Sequence, residues 1–193
     1  MTNRILITII VLLISISVSG QKSILFLGAT AHLGNGKVIQ NAAISIQNGE
    51  FDLVADASLI RIDPAAFDTI YNLYGKHIYP SFILPNTTLG ITEIDAVRAS
   101  RDYLETGGIN PNVRSLIAYN TDSKLAKTVR SNGVLIAQVT PRGGLVSGQS
   151  SIMYLDGNNW EDAVLKIDDG IHINWPNSYY SKGWWGDPGG TKR

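Results

Sequence analysis

Between residues 24 and 53 short apolar runs are cut by glycine-containing turns. Ile24-Leu25-Phe26-Leu27 closes on Gly28, and a Gly34-Asn35-Gly36 turn follows. Ile44-Ser45-Ile46-Gln47 then meets Glu50-Phe51-Asp52-Leu53 across Asn48-Gly49. Two alternating segments joined by Asn-Gly predict a β-hairpin, because both central positions of such a turn need positive φ. A helical period enters only at residues 64–73. Residues 21–79 therefore read as a small β module, the N-terminal part of a β-sandwich-like domain.

From Tyr79 the pattern changes to strands alternating with helices. A strand at 80–84 leads to a helix over 94–105, with Ile94, Val97 and Leu104 on one face and Gly107-Gly108 as its stop. Residues 113–119 form a second apolar run. Asp122 or Ser123 can cap a helix that ends at Asn132-Gly133. The run 134–139 has little alternation, as expected of a strand covered on both faces. A strand at 151–155 and a helix at 160–169, capped by Asn159, complete the series. This order predicts βαβ units in a parallel sheet or barrel, so the expected fold class is α/β with an N-terminal β module.

The first twenty residues follow another rule. Arg4 precedes twelve residues, 5–16, broken only by Thr8 and Ser15, and the small residues Ser17, Ser19 and Gly20 come next. That layout predicts a secretory signal cleaved near Ser19 or Gly20. A membrane span would need about 20 apolar residues. The expected location is exported, periplasmic, with no membrane contact after cleavage.

Composition narrows the function classes. An apolar fraction of 44% with 17% charged residues suits a globular chain. Sixteen basic residues balance sixteen acidic ones, which gives nucleic acid no electrostatic handle. The absence of cysteine excludes disulfides, thiolate metal ligands and a lipid-modified cysteine.

Chemistry in an α/β fold gathers at the carboxyl ends of strands. Two segments occupy such places: Pro85-Asn86-Thr87-Thr88-Leu89-Gly90 and the glycine-rich run 140–150 containing Arg142. The second lacks the lysine of a phosphate-binding P-loop and the order of a nucleophile elbow. It reads as a glycine-shaped connection or as a ligand-contacting loop. His32, His77 and His172 stand far apart in sequence without metal-ligand spacing, and each is expected to be a surface or hydrogen-bonded structural residue. Glu93 and Asp95 suit the start of a helix, where negative charge offsets the dipole. Five aromatics at 175–185 read as a segment packed on further chain or as a platform for a flat ligand.

The order of "GNGKVIQNAAISIQNGEF", "GKHIYPSFILPNTTLG" and "NPNVRSLIAYNTDSKLAKTVRSNGVLIAQVTPRGGLVSGQSSIMYLDG" resembles the amidohydrolase superfamily, in particular its imidazolonepropionase-like branches, over residues 24–175. The resemblance implies a composite β-sandwich joined to a (β/α)8 TIM-type barrel, with hydrolysis of non-peptide carbon–nitrogen bonds by a metal-activated water. It also implies a first barrel strand ending Pro-Gly-Leu-Ile-Asp-x-His-x-His-x-Gly, whose histidines bind the metal. Here Pro80 and Gly90 keep their places, Ser81 replaces the glycine and Leu84 the aspartate. Asn86 and Thr88 stand at the two histidine positions.

A full barrel takes about 250 residues, so residues 80–193 are expected to be a partial, N-terminal portion of one, with an open edge available for self-association. Asn86, Thr88 and Arg142 are the expected substrate contacts. No catalytic or metal-binding residue is assigned within this chain. A divalent metal such as zinc belongs only to a longer form, held by later residues, and the expected partner is a small-molecule substrate. The other reading is a non-catalytic relative acting as a binding or partner subunit.

Overall fold

The computed structural model describes residues 23–176. The signal segment and most of the aromatic stretch 175–185 lie outside the described residues. Two compact units divide at Pro80/Ser81. Both are built mainly from strands, with few helices.

The first unit is a five-stranded sheet. Strand β1 (Ser23–His32) pairs antiparallel with β2 (Val38–Gln47), which pairs antiparallel with β3 (Glu50–Asp56). On its other side β1 pairs in parallel with β4 (Thr69–Asn72) and β5 (His77–Ile78). The expected hairpin forms at Asn48-Gly49, whose φ angles of 54° and 82° are those the turn demands. Ala31, Ala42 and Ile44 are buried, with Phe26, Leu33, Ile39 and Ile78 packed against them. Within this unit the described strands form one sheet.

The helical segment expected at 64–73 is a single 3₁₀ turn, Pro64–Ala66, followed by β4. Proline at the first position and the Asp63 side chain, which accepts from the Ala65 amide at 3.0 Å, start a turn. Ser23 then stops it. Its amide and hydroxyl both donate to the Asp68 carboxylate, at 2.8 and 2.9 Å, and draw the chain alongside β1. Those two bonds hold the Asp68 carboxyl below its ordinary range, the backbone one contributing more.

The second unit is a four-stranded sheet in the order β6 (Phe82–Thr87), β7 (Val134–Val139), β8 (Val146–Tyr154), β9 (Val164–Ile173). Only β6 and β7 run parallel; β7–β8 and β8–β9 are antiparallel. The all-parallel arrangement expected of successive βαβ units is thus limited to one pair. Helix α1 (Lys124–Ser131) lies in the β6–β7 crossover, with the Ser123 hydroxyl accepting from the Ala126 amide at 3.3 Å. Its Ala126 joins Leu89, Ile91, Leu116, Tyr119, Ala137, Val139 and Met153 in a core on one face of the sheet.

Two expected helices are corrected. Residues 94–105 hold the 3₁₀ turn Arg98–Ser100 and two isolated bridges, antiparallel Thr92↔Arg101 and parallel Leu104↔Arg142, in place of a helix. Ile94, Val97 and Leu104 had helical spacing, yet all three are exposed, so no core pulls that face into a helix. The Ser100 hydroxyl instead bonds to Ile94 and Val97 backbone groups, the local competition that serine offers a helix. Helix α2 (Trp160–Ala163) starts as expected on Asn159, which accepts from the Asp162 amide at 2.7 Å. It ends after four residues because the edge of β8 captures the chain from Val164 as β9.

Candidate functional site

Alternation along β7 puts Ala137 and Val139 toward the core and Gln138 on the opposite face. Register carries that second face across the sheet: Gln138 pairs with Ile152, and Ile152 with Lys166. The polar groups of this face meet at Gln138. Its Oε1 accepts from the Asn86 amide at 3.1 Å, and its Nε2 donates to Asp169 Oδ2 at 2.8 Å. A backbone donor on one side and a carboxylate on the other fix the orientation of the amide. Lys166 Nζ sits 2.8 Å from the other Asp169 oxygen.

Asn86 lies at the end of β6 with φ of 50°, in the left-handed region that asparagine tolerates better than most residues. The strand register breaks between Leu84 and Thr87 at this point. Exposed Asn86 is thereby placed at the strand end, and its backbone carbonyl accepts from Arg142 Nη2 at 2.6 Å. Thr88 follows the strand, half-buried, with its carbonyl accepting from the Ile91 amide at 3.1 Å.

Arg142 is anchored by its own backbone, whose amide donates to the Tyr103 carbonyl at 2.7 Å. The glycines beside it serve close approach of chains. A Cβ on Gly144 would stand 2.8 Å from the Gly108 carbonyl oxygen, and one on Gly148 would stand 2.6 Å from the Val113 carbonyl oxygen. The run 140–150 is therefore glycine-shaped by backbone packing, while Arg142 alone projects its side chain to the Asn86 end of β6.

The electrostatics follow from these contacts. The Asp169 carboxyl is held below its ordinary range, first by the hydrogen bond from Lys166 and then by that from Gln138. His172 is pushed down, mainly by burial and then by the positive charge of Arg142, with Asp169 opposing. At neutral pH the cluster offers a guanidinium, an ammonium, a carboxylate, two amides and a neutral imidazole. Arg142 uses one donor on Asn86, and its remaining N–H groups suit a carboxylate or a polarised carbonyl.

These residues do not suit a divalent metal at the Asn86 and Thr88 positions. Amide and hydroxyl oxygens are weak partners for zinc, and Arg142 holds a positive charge against the Asn86 carbonyl. Among the described residues, no group of three or more histidines and carboxylates converges.

Of the expected contacts, Asn86 and Arg142 are brought into direct hydrogen bonding, and Thr88 stands two residues further on. Gln138, Lys166 and Asp169 went unassigned in the sequence, and His172 was expected to be a surface or hydrogen-bonded structural residue. A glutamine inside the apolar run Val-Leu-Ile-Ala-Gln-Val was the available signal. His32 and His77, 45 residues apart in sequence, meet in the first unit as hydrogen-bonded residues. A separate concavity lined by Arg130, Leu135, Tyr154 and Asp156 contains none of the expected contacts.

No family model matches the chain, and no curated protein matches it. Among solved structures, an amidohydrolase from Thermotoga maritima MSB8 is similar, with a TM-score of 0.71 and 23% identity. The match covers 80% of this chain and 39% of that one. At that identity the likeness carries the fold. The matched residues share the fold of part of an amidohydrolase.

Proposed function

We propose that this chain is the N-terminal part of an exported amidohydrolase-like hydrolase, imidazolonepropionase-like, acting on non-peptide carbon–nitrogen bonds. In this reading β6 is the first strand of an incomplete (β/α)8 barrel. Asn86 and Thr88 take the places of the metal-binding histidines, and Asn86, Thr88 and Arg142 contact substrate. A divalent metal such as zinc, in a longer form, is held by residues beyond this chain. The chain by itself is inactive and reaches the periplasm by a cleaved signal.

One observation carries the reading: Asn86 stands at the carboxyl end of a strand in an amidohydrolase-like fold, its carbonyl bound by Arg142 at 2.6 Å. Strand ends are where such folds mount their chemistry. A polar, cationic arrangement there suits binding of an amide or carboxylate group. The same arginine also favours a second reading, a non-catalytic relative that binds a ligand with this cluster, because a guanidinium repels a metal.

Two measurements test the proposal. The intact mass of the protein from its native host is expected to be well above that of 193 residues; a mass matching residues 21–193 sinks the partial-chain reading in favour of the binding module. The isolated chain, supplied with zinc, is expected to give no turnover on a panel of cyclic amides. Turnover by the isolated chain would overturn its inactivity, and with it the assignment of the metal to residues beyond this chain.

A further inference from the structure

Strand β5 is two residues long, yet its place is well fixed. His77 pairs with Thr30 and Ile78 with Ala31, and the Thr30 amide donates to the Lys76 carbonyl at 2.9 Å. This parallel pairing sets the His77 ring beside that of His32 at the end of β1. His32 Nε2 and His77 Nδ1 are 3.0 Å apart. The two rings lie 27° from parallel with centroids 5.3 Å apart. Tyr79 stacks on His32 at 4.2 Å and 9°, and its ring centroid lies 6.1 Å from that of His77, so the three rings sit together. His77 and Tyr79 are exposed and His32 is half-buried, so the pair is open to solvent.

We propose that His32 and His77 form a binding site for a divalent copper ion, with both imidazoles as adjacent ligands. Two nitrogens bonded at about 2.0–2.1 Å and separated by about 90°, as in tetragonal copper, stand about 2.9 Å apart. The pair already holds that spacing, and on binding each imidazole turns its lone pair from the other ring toward the ion. A tetrahedral ion such as zinc would spread the same two donors to about 3.3–3.4 Å. Copper also heads the affinity order of the divalent first-row ions at nitrogen ligands.

In the metal-free pair one ring donates its N–H to the other. On binding, both facing nitrogens give lone pairs to the ion. The ring protons then sit on His32 Nδ1 and His77 Nε2, and no net proton is released from two neutral rings. The remaining copper positions take water, because no group of three or more histidines and carboxylates converges among the described residues. The site is thus an open, exchangeable one. It shares no residue with the Asn86 cluster and stands independently of the hydrolase reading.

The test is a titration of the full chain with copper(II), read by electron paramagnetic resonance. The expected result is one bound ion per chain with nitrogen coupling from two imidazoles. Presenting two ligands on one scaffold gains about 10²–10⁴ over a single one. His32→Asn and His77→Asn should therefore each weaken binding by at least about 100-fold, and the double variant should lose little more. His172→Asn, the control for the remaining histidine, and Tyr79→Phe, which keeps the stacked ring, should bind as the unaltered chain does. Binding that survives in either single variant, or that follows His172, overturns the proposal. Copper should also raise the unfolding temperature of the unaltered chain and leave those of the two single variants unmoved. Agreement of their metal-free unfolding temperatures shows that the fold is intact.

Discussion

Gly28 in the first unit and Gly90 in the second pose the same local problem with different surroundings. Each has φ of 80°, and at each a Cβ would run into a tyrosine ring: Tyr74 at 2.5 Å and Tyr119 at 2.3 Å. Tyr74 is 71% exposed and can swing into water. Tyr119 is 6% exposed, packed in the core, and its hydroxyl donates to the Tyr154 carbonyl at 3.2 Å. At Gly28 the neighbouring ring lies at the surface of the first unit and is free to adjust. In the second unit the long β6–β7 crossover is held by packing under the sheet, and a change there has nowhere to go.

The largest expected effect is Gly90→Ala. Positive φ costs an alanine about 1–2 kcal/mol, and overpacking against a fixed ring adds about 1–3 kcal/mol. A loss of about 2–5 kcal/mol in urea unfolding is expected. Gly28→Ala should cost only the conformational part, about 1–2 kcal/mol. Equal losses at the two glycines would break the contrast between the units.

Tyr119 gives the next largest effect through pH. Burial pushes its hydroxyl up to about 12 from an ordinary 10.0. The neutral ring is favoured when folded, so stability is unaffected below the unfolded value of about 10. Between there and about 12 it should fall by about 1.4 kcal/mol per pH unit. Tyr119→Phe should flatten that alkaline decline, at a cost near neutrality of about 1 kcal/mol for the lost hydrogen bond. Unfolding curves at neutral pH and at alkaline pH for both chains test this; an unchanged decline in the variant excludes Tyr119 as its source.

The same contrast explains what the sequence disclosed. The Asn48-Gly49 hairpin, strand 134–139 and a cap at Asp122 or Ser123 were legible because each is decided by residues within a few positions. Residues 94–105 misled because a helical spacing of Ile94, Val97 and Leu104 was present without anything to bury it. Residues 164–169 were assigned to a helix that β8 overrode by offering an edge, a decision made by residues more than ten positions away. That error hid the site. With 160–169 taken as helix, nothing placed Asp169 or Lys166 across from Gln138. Asn86 and Arg142 were nameable one at a time from their strand-end positions, but their contact spans 56 residues. The His32–His77 meeting likewise depends on a parallel pairing that neither local pattern announces.

A smaller effect isolates a purely local contribution. Ser123→Ala removes the cap of α1 and should cost about 1 kcal/mol, since the Ala126 amide it satisfies belongs to a buried residue. Asn159→Ala removes the matching cap of α2, a helix of four residues, and should cost less, because β9 takes over at once.

The smallest effect is the acid dependence of the polar face. The Asp169 carboxyl titrates below its ordinary 3.8 because Lys166 and Gln138 bond to its ionised form. A depressed folded value means the contribution is complete above the unfolded value and is lost as pH falls through the folded one. Stability should therefore soften at pH below about 4, and Asp169→Asn should reduce that softening without changing the neutral midpoint appreciably. Lys166 is 61% exposed and solvent screens the pair, which keeps the effect small. The change also has a structural readout. Asparagine offers Gln138 Nε2 only its carbonyl oxygen, so Gln138 keeps its orientation and the Asn86 amide keeps its acceptor. Gln138→Leu removes both bonds and should alter the Asn86 and Arg142 resonances that Asp169→Asn leaves in place. If both variants perturb Asn86 equally, the carboxylate and not the glutamine organises that end of β6.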